Sequence, residues 1–179
     1  MKTKYIFMAL ITAFMTLAIS AFTSCAAQEK QQTERHKTDG HSKHSDEMNK
    51  RGEREMGFSQ AKTTHHFRLL QDGGAIEVEA KDEKDTETVK QIKGHLSHIA
   101  QMFGEGNFKA PMLIHDQTPP GVPVMHNLKA EISYQYEDTI NGGRVRIKTA
   151  NAEALRAIHE FLRFQIKEHE TGDSLDVVK

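Results

Sequence analysis

Eleven histidines and eight methionines stand out in a chain with one Cys and no Trp. Imidazole nitrogen and thioether sulfur are transition-metal ligands, and imidazole is also the commonest general base near neutral pH. Eight of the histidines (65, 66, 95, 98, 115, 126, 159 and 169) fall in the last two thirds of the chain. His95 and His98 are three apart, which makes them neighbours on a helix, and Met102 extends their line. His65 and His66 are adjacent on a strand-like run and must face opposite sides. His65 shares its side with Phe67 and Leu69, and His66 shares its side with Arg68. Met112, His115, Met125 and His126 lie in a Pro-rich connector, and His159 sits beside the apolar stripe of a second helix. These residues read as a copper or zinc site built from His65, His66, His95, His98, His115, Met112, His126 and His159. Neither a His-Glu-x-x-His nor a Cys-x-x-Cys spacing is present to name the metal.

Other chemistry loses ground on the same residues. The only Cys is Cys25, in an apolar leader, and no Gly-x-Ser-x-Gly, phosphate loop or dinucleotide fingerprint occurs. That argues against nucleophilic hydrolysis and nucleotide chemistry. A small enzyme using a His general base beside Asp116, Glu160 or Glu168 stays as an alternative. So does an interaction or structural module: Phe161 and Phe164 widen the apolar surface of their helix and suit a second copy or another protein. A net charge of −1 argues against a nucleic-acid partner. Non-catalytic binding of a metal ion or small ligand is the preferred reading.

The elements that must position these residues fall into three regimes. Hydrophobic residues number 17 in positions 1–25, 3 in 26–55 and 43 in 56–172. Residues 1–25 have a basic start, an apolar run and the lipobox-like Phe22-Thr23-Ser24-Cys25, so they read as a lipoprotein signal with lipid on Cys25. The mature chain is then expected on a bacterial membrane in the cell envelope, facing the periplasm or the exterior. Residues 26–55, with His36, His41 and His44 among polar neighbours, read as a disordered tether. Residues 174–179 read as a tail.

Residues 56–173 read as the folded domain. Runs 64–70 and 75–80 alternate like half-buried strands, and Gln71-Asp72-Gly73-Gly74 reads as the turn between them. Val89, Ile92, Leu96, Ile99 and Phe103 then share one helical face, opening near Asp85 and stopping at Gly104-Glu105-Gly106. The pattern recurs with strands at 131–136 and 144–148, a turn at Asn141-Gly142-Gly143, and a helix capped by Asn151 with Leu155, Ile158, Leu162 and Ile166 inside. The expected fold is therefore α+β. It is a two-layer sandwich with a four-stranded antiparallel sheet, two helices on one face, and an internal ββα-ββα duplication. The other face carries Glu77 and Glu79 against Arg144, Arg146 and Lys148. All four Pro lie within 111–123, which reads as a rigid, non-helical connector.

The strings Lys62-Thr63-Thr64-His65-His66-Phe67, Gly73-Gly74-Ala75-Ile76-Glu77-Val78, Ala110-Pro111-Met112, Pro119-Pro120-Gly121 and His159-Glu160-Phe161-Leu162-Arg163-Phe164-Gln165-Ile166 resemble a family of bacterial extracytoplasmic proteins across residues 56–173. No activity attaches to that family. An aspartate carbamoyltransferase label on some of its members finds no support here: the chain has no Ser-Thr-Arg-Thr phosphate loop, and the domain is too short for two α/β domains.

Overall fold

The computed structural model describes residues 43 and 45–178. The leader, Cys25 and most of the tether, including His36, His41 and His44, lie outside the described residues. Residues 45–56 form helix α1. A 3-10 turn (Gln60–Lys62) leads into strands β1 (Thr63–Leu70) and β2 (Gly73–Ala80), then helix α2 (Thr86–Gly104). Two short helices follow, α3 (Lys109–His115) and α4 (Val122–Asn127). A second 3-10 turn (Lys129–Glu131), β3 (Ile132–Thr139), β4 (Gly142–Thr149) and α5 (Ala152–Glu168) complete the order. The strands form one antiparallel sheet, β1-β2-β4-β3, and the fold is α+β.

Both turns and all four strands recur at an offset of 69 residues, Thr63 to Ile132 and Gly73 to Gly142. At the sheet centre Ile76 pairs with Val145, its own counterpart at that offset. The helices cross over: α2 packs chiefly on β3 and β4, and α5 on β1 and β2. Leu69, Val78, Val145 and Ile147 from the sheet meet Ile92, Leu96, Ile158, Phe161 and Leu162 from the helices, all at most 2% exposed. Each such side chain stabilises the fold by about 1.5–3 kcal/mol relative to exposure. The helix starts follow from their caps. The Asp85 carboxylate accepts the Thr88 N–H, and the Asn151 side chain accepts those of Glu153 and Ala154.

The structure corrects four expectations. The end of the tether is helical: Met48, Gly52 and Met56, at i, i+4 and i+8, are buried, and Arg51 Nε donates to the Ile114 carbonyl at 2.8 Å. Two methionines and a glycine make too thin a stripe to register as an amphipathic face. The connector is not wholly non-helical either. Pro111 is the third residue of α3 and Pro123 lies in the first turn of α4, where a missing N–H breaks no intrahelical bond. The paired glycines do not make the turns, which are Gln71-Asp72 and Ile140-Asn141. They open β2 and β4, where a Cβ on Gly73 would lie 2.0 Å from the Ile147 carbonyl and one on Gly142 2.0 Å from that of Val78. Finally, the tail joins the sheet edge: the Val178 N–H donates to the Leu69 carbonyl at 2.9 Å.

The open face of the sheet is polar, as its alternation predicts. Glu77 stands opposite Arg144 in the register, yet Arg144 pairs with Glu137 at 2.8 Å, and Arg146 pairs with Asp72. Among the described residues no helix is long and apolar enough to cross a membrane.

Candidate functional site

The alternation of β1 sends His65 inward with Phe67 and Leu69, beneath the gap between the helices. The inner face of α2 brings His95 to the same gap, one residue before buried Leu96. The α3 helix covers the gap and contributes His115, which is 2% exposed. His169 caps α5, four residues beyond buried Gln165. These four imidazoles line one cavity of about 70 Å³, with Met56 of α1, Gln165 of α5 and an otherwise apolar wall.

The rings form a chain of contacts. His65 and His169 stack at 5.7 Å between centroids, and His115 meets His169 edge-on at 5.1 Å. Phe58 packs edge-on against His95 at 5.6 Å and alongside His65 at 6.4 Å. Burial drives the electrostatics. It pushes His65 down to about 4, with His95 and His66 adding repulsion, and His95 to about 4, with His98 adding. It pushes His169 to about 3, with His65 and His115 adding. These three imidazoles are therefore uncharged at neutral pH. At His169 burial outweighs the helix dipole, which by itself would favour a cation at this helix end.

Buried polar atoms usually have partners, so exceptions point to a role. His65 Nε2 is buried with no hydrogen-bond partner, and so is Gln165 Nε2. Gln165 Oε1 accepts from His115 Nε2 at 3.0 Å, and Glu168 approaches His115 Nδ1 at 3.8 Å. His115 is thereby oriented by α5 from both sides.

The other predicted residues stand apart from this cavity. His66 lies on the opposite sheet face, 3.0 Å from Asp173, whose second oxygen accepts the Phe67 N–H and the Thr171 hydroxyl. This network fixes the segment after α5 to the edge of β1. His98 is exposed on α2. His159 Nε2 donates to the carbonyls of Leu70 and Gly73, holding the first hairpin turn. His126 Nδ1 donates to the Gly106 carbonyl and borders, with exposed Met112, a separate surface groove. So the structure gathers His65, His95 and His115 of the predicted set. It leaves out His66, His98, Met112, His126 and His159, whose nitrogens mostly serve backbone or carboxylate.

It adds His169 and Met56. His169 continues the buried Phe161-Gln165 line at i+8, a spacing that marks it as inward-facing. Among the described residues, no three His, Cys, Asp or Glu side chains form a group that could hold a metal ion. The arrangement is that of an α+β domain with an imidazole-lined cavity between sheet and helices that no Asp, Glu, Lys or Arg lines. Comparison with protein-family models, curated proteins and solved structures gives no match.

Proposed function

We propose that this domain is a non-catalytic binding module that holds one transition-metal ion in the cavity between β1, α2 and α5. His65, His95 and His169 supply nitrogen donors, and Met56 supplies a thioether. The observation that carries this reading is the convergence of uncharged imidazoles from distant parts of the chain on one small space. Neutral imidazole is the ligating form, and the partnerless His65 Nε2 offers a lone pair or an N–H that nothing in the fold uses.

Size supports an ion over an organic ligand. Drug-sized ligands occupy clefts of about 300–1,000 Å³, and this cavity is about 70 Å³. The same limit weighs against an enzyme acting on an organic substrate here. Because no trio of His, Cys, Asp or Glu is grouped for coordination, capture draws on the Met56 sulfur or turns an imidazole into another rotamer. The leader sequence supports placing this module in the cell envelope, with lipid on Cys25 as the membrane attachment.

Calorimetric titration of the metal-free chain with Zn(II) and Cu(I) tests the reading. One ion should bind per chain, and His65→Ala and His95→Ala should each weaken it by about tenfold or more. Binding that survives both changes, or that resides in residues 36–44, would refute it.

A further inference from the structure

We infer that the bound ion is a soft monovalent cation of the Cu(I) and Ag(I) class, a conclusion that rests on the metal reading above and narrows it. Charge favours a monovalent ion. No Asp, Glu, Lys or Arg lines the cavity. The donors assigned to the ion are uncharged, the imidazoles of His65, His95 and His169 and the thioether of Met56, and the remaining polar groups of the wall are His115 and the Gln165 amide. Glu168 reaches His115 Nδ1 at 3.8 Å but does not line the cavity. The cost of moving an ion from water into such surroundings grows with the square of its charge, so a divalent ion costs roughly four times as much as a monovalent one of equal size. Divalent sites commonly offset that cost with carboxylate or thiolate ligands, which this wall lacks.

The donor set favours the same ion. Zn(II) sites draw on thiolate sulfur, imidazole nitrogen and carboxylate oxygen, whereas Met56 offers this cavity a thioether sulfur. Cu(I) and Ag(I) accept lower coordination numbers, and thioether sulfur selects for them. Met56 is brought to the cavity by α1, and the Phe58 ring just beyond it packs on both His65 and His95.

The test uses the full chain without metal, under anaerobic conditions, titrated with Ag(I) as a redox-inert equivalent of Cu(I) and separately with Zn(II). The wild type should hold one Ag(I) at a site that binds Zn(II) at least about a hundredfold more weakly. Met56→Leu keeps side-chain volume and should weaken Ag(I) about tenfold while changing Zn(II) little. The imidazole nitrogen resonances of His65, His95 and His169 should shift on adding Ag(I) to the wild type, a readout that needs no variant to fold. Zn(II) bound as tightly as Ag(I), with both lost in His65→Gln, overturns the monovalent assignment and leaves the metal reading standing. Ag(I) binding indifferent to Met56→Leu also overturns the assignment. Neither ion bound, or no shift of those nitrogens, overturns the metal reading itself.

Discussion

Acidification of the metal-free chain from pH 7.5 to 5.5 places a defined load on the buried imidazoles. In the folded chain His65 and His95 are held at about 4 and His169 at about 3, whereas each titrates near 6.5 once unfolded. Above pH 6.5 both states carry these side chains neutral, and the groups contribute no pH dependence. As the pH falls below 6.5 the unfolded chain takes up three protons that the folded chain refuses, so stability is lost through the window down to about 4. One pH unit below 6.5, each group costs about 1.4 kcal/mol, and the three together about 4 kcal/mol. A typical domain has only about 5–15 kcal/mol in total. Four aspartates add little slope there. Asp72, Asp85, Asp138 and Asp173 are held below the ordinary carboxylate range, so they are ionised in both states at pH 5.5.

Urea unfolding followed by far-UV circular dichroism reads this loss. With a slope of about 2 kcal/mol per molar, the midpoint should fall by about 2 M between the two pH values. His169→Leu removes one of the three protons, so its midpoint should fall by about two thirds as much. A midpoint that barely moves with pH would refute the burial of these imidazoles in the free chain. So would a His169→Leu chain that keeps the full dependence.

Further substitutions probe the scaffold. Gly121 has φ +83°, and a Cβ there would lie 2.1 Å from the Ala157 carbonyl. Gly121→Ala should therefore cost about 2 kcal/mol or more and lower the thermal midpoint by several degrees, as calorimetry would show. Leu162 is fully buried, and Leu162→Ala should cost about 2–5 kcal/mol in the same measurement. Asp173→Ala leaves the Phe67 N–H and His66 without their partner. It should cost about 1–3 kcal/mol and speed hydrogen exchange at the Phe67 amide, while His95 resonances stay in place. Cys25→Ser should abolish incorporation of labelled fatty acid into the chain expressed in a bacterial host; label retained in that variant would remove Cys25 as the attachment point.

The scaffold was legible where a period repeats often enough to exceed noise. Ile92, Leu96, Ile99 and Phe103 mark α2 unaided, and the alternation around Phe67 and Leu69 set both β1 and the inward direction of His65. Short stripes carried too little signal: α1 shows one face through Met48, Gly52 and Met56 alone, and prolines in first turns looked like breakers of α3 and α4. The two Gly-Gly pairs misled for a different reason. Glycine answers equally to a turn and to a close approach, and only the paired strand, with Ile147 and Val78 carbonyls 2.0 Å from the would-be Cβ atoms, distinguishes them.

The site was half legible for the same reason that imidazole is versatile. A histidine's spacing tells which way it points but not what its nitrogens will meet. His66, His126 and His159 find a carboxylate or carbonyls supplied by turns and termini remote in sequence. His65 points inward by a rule of alternation and finds other imidazoles there. On the proposed metal reading, what separates a ligand from a structural histidine is the absence of a competing acceptor on the far element. That follows from the crossing of α2 and α5 over each other's hairpins, which brings α5 and its terminal His169 over β1.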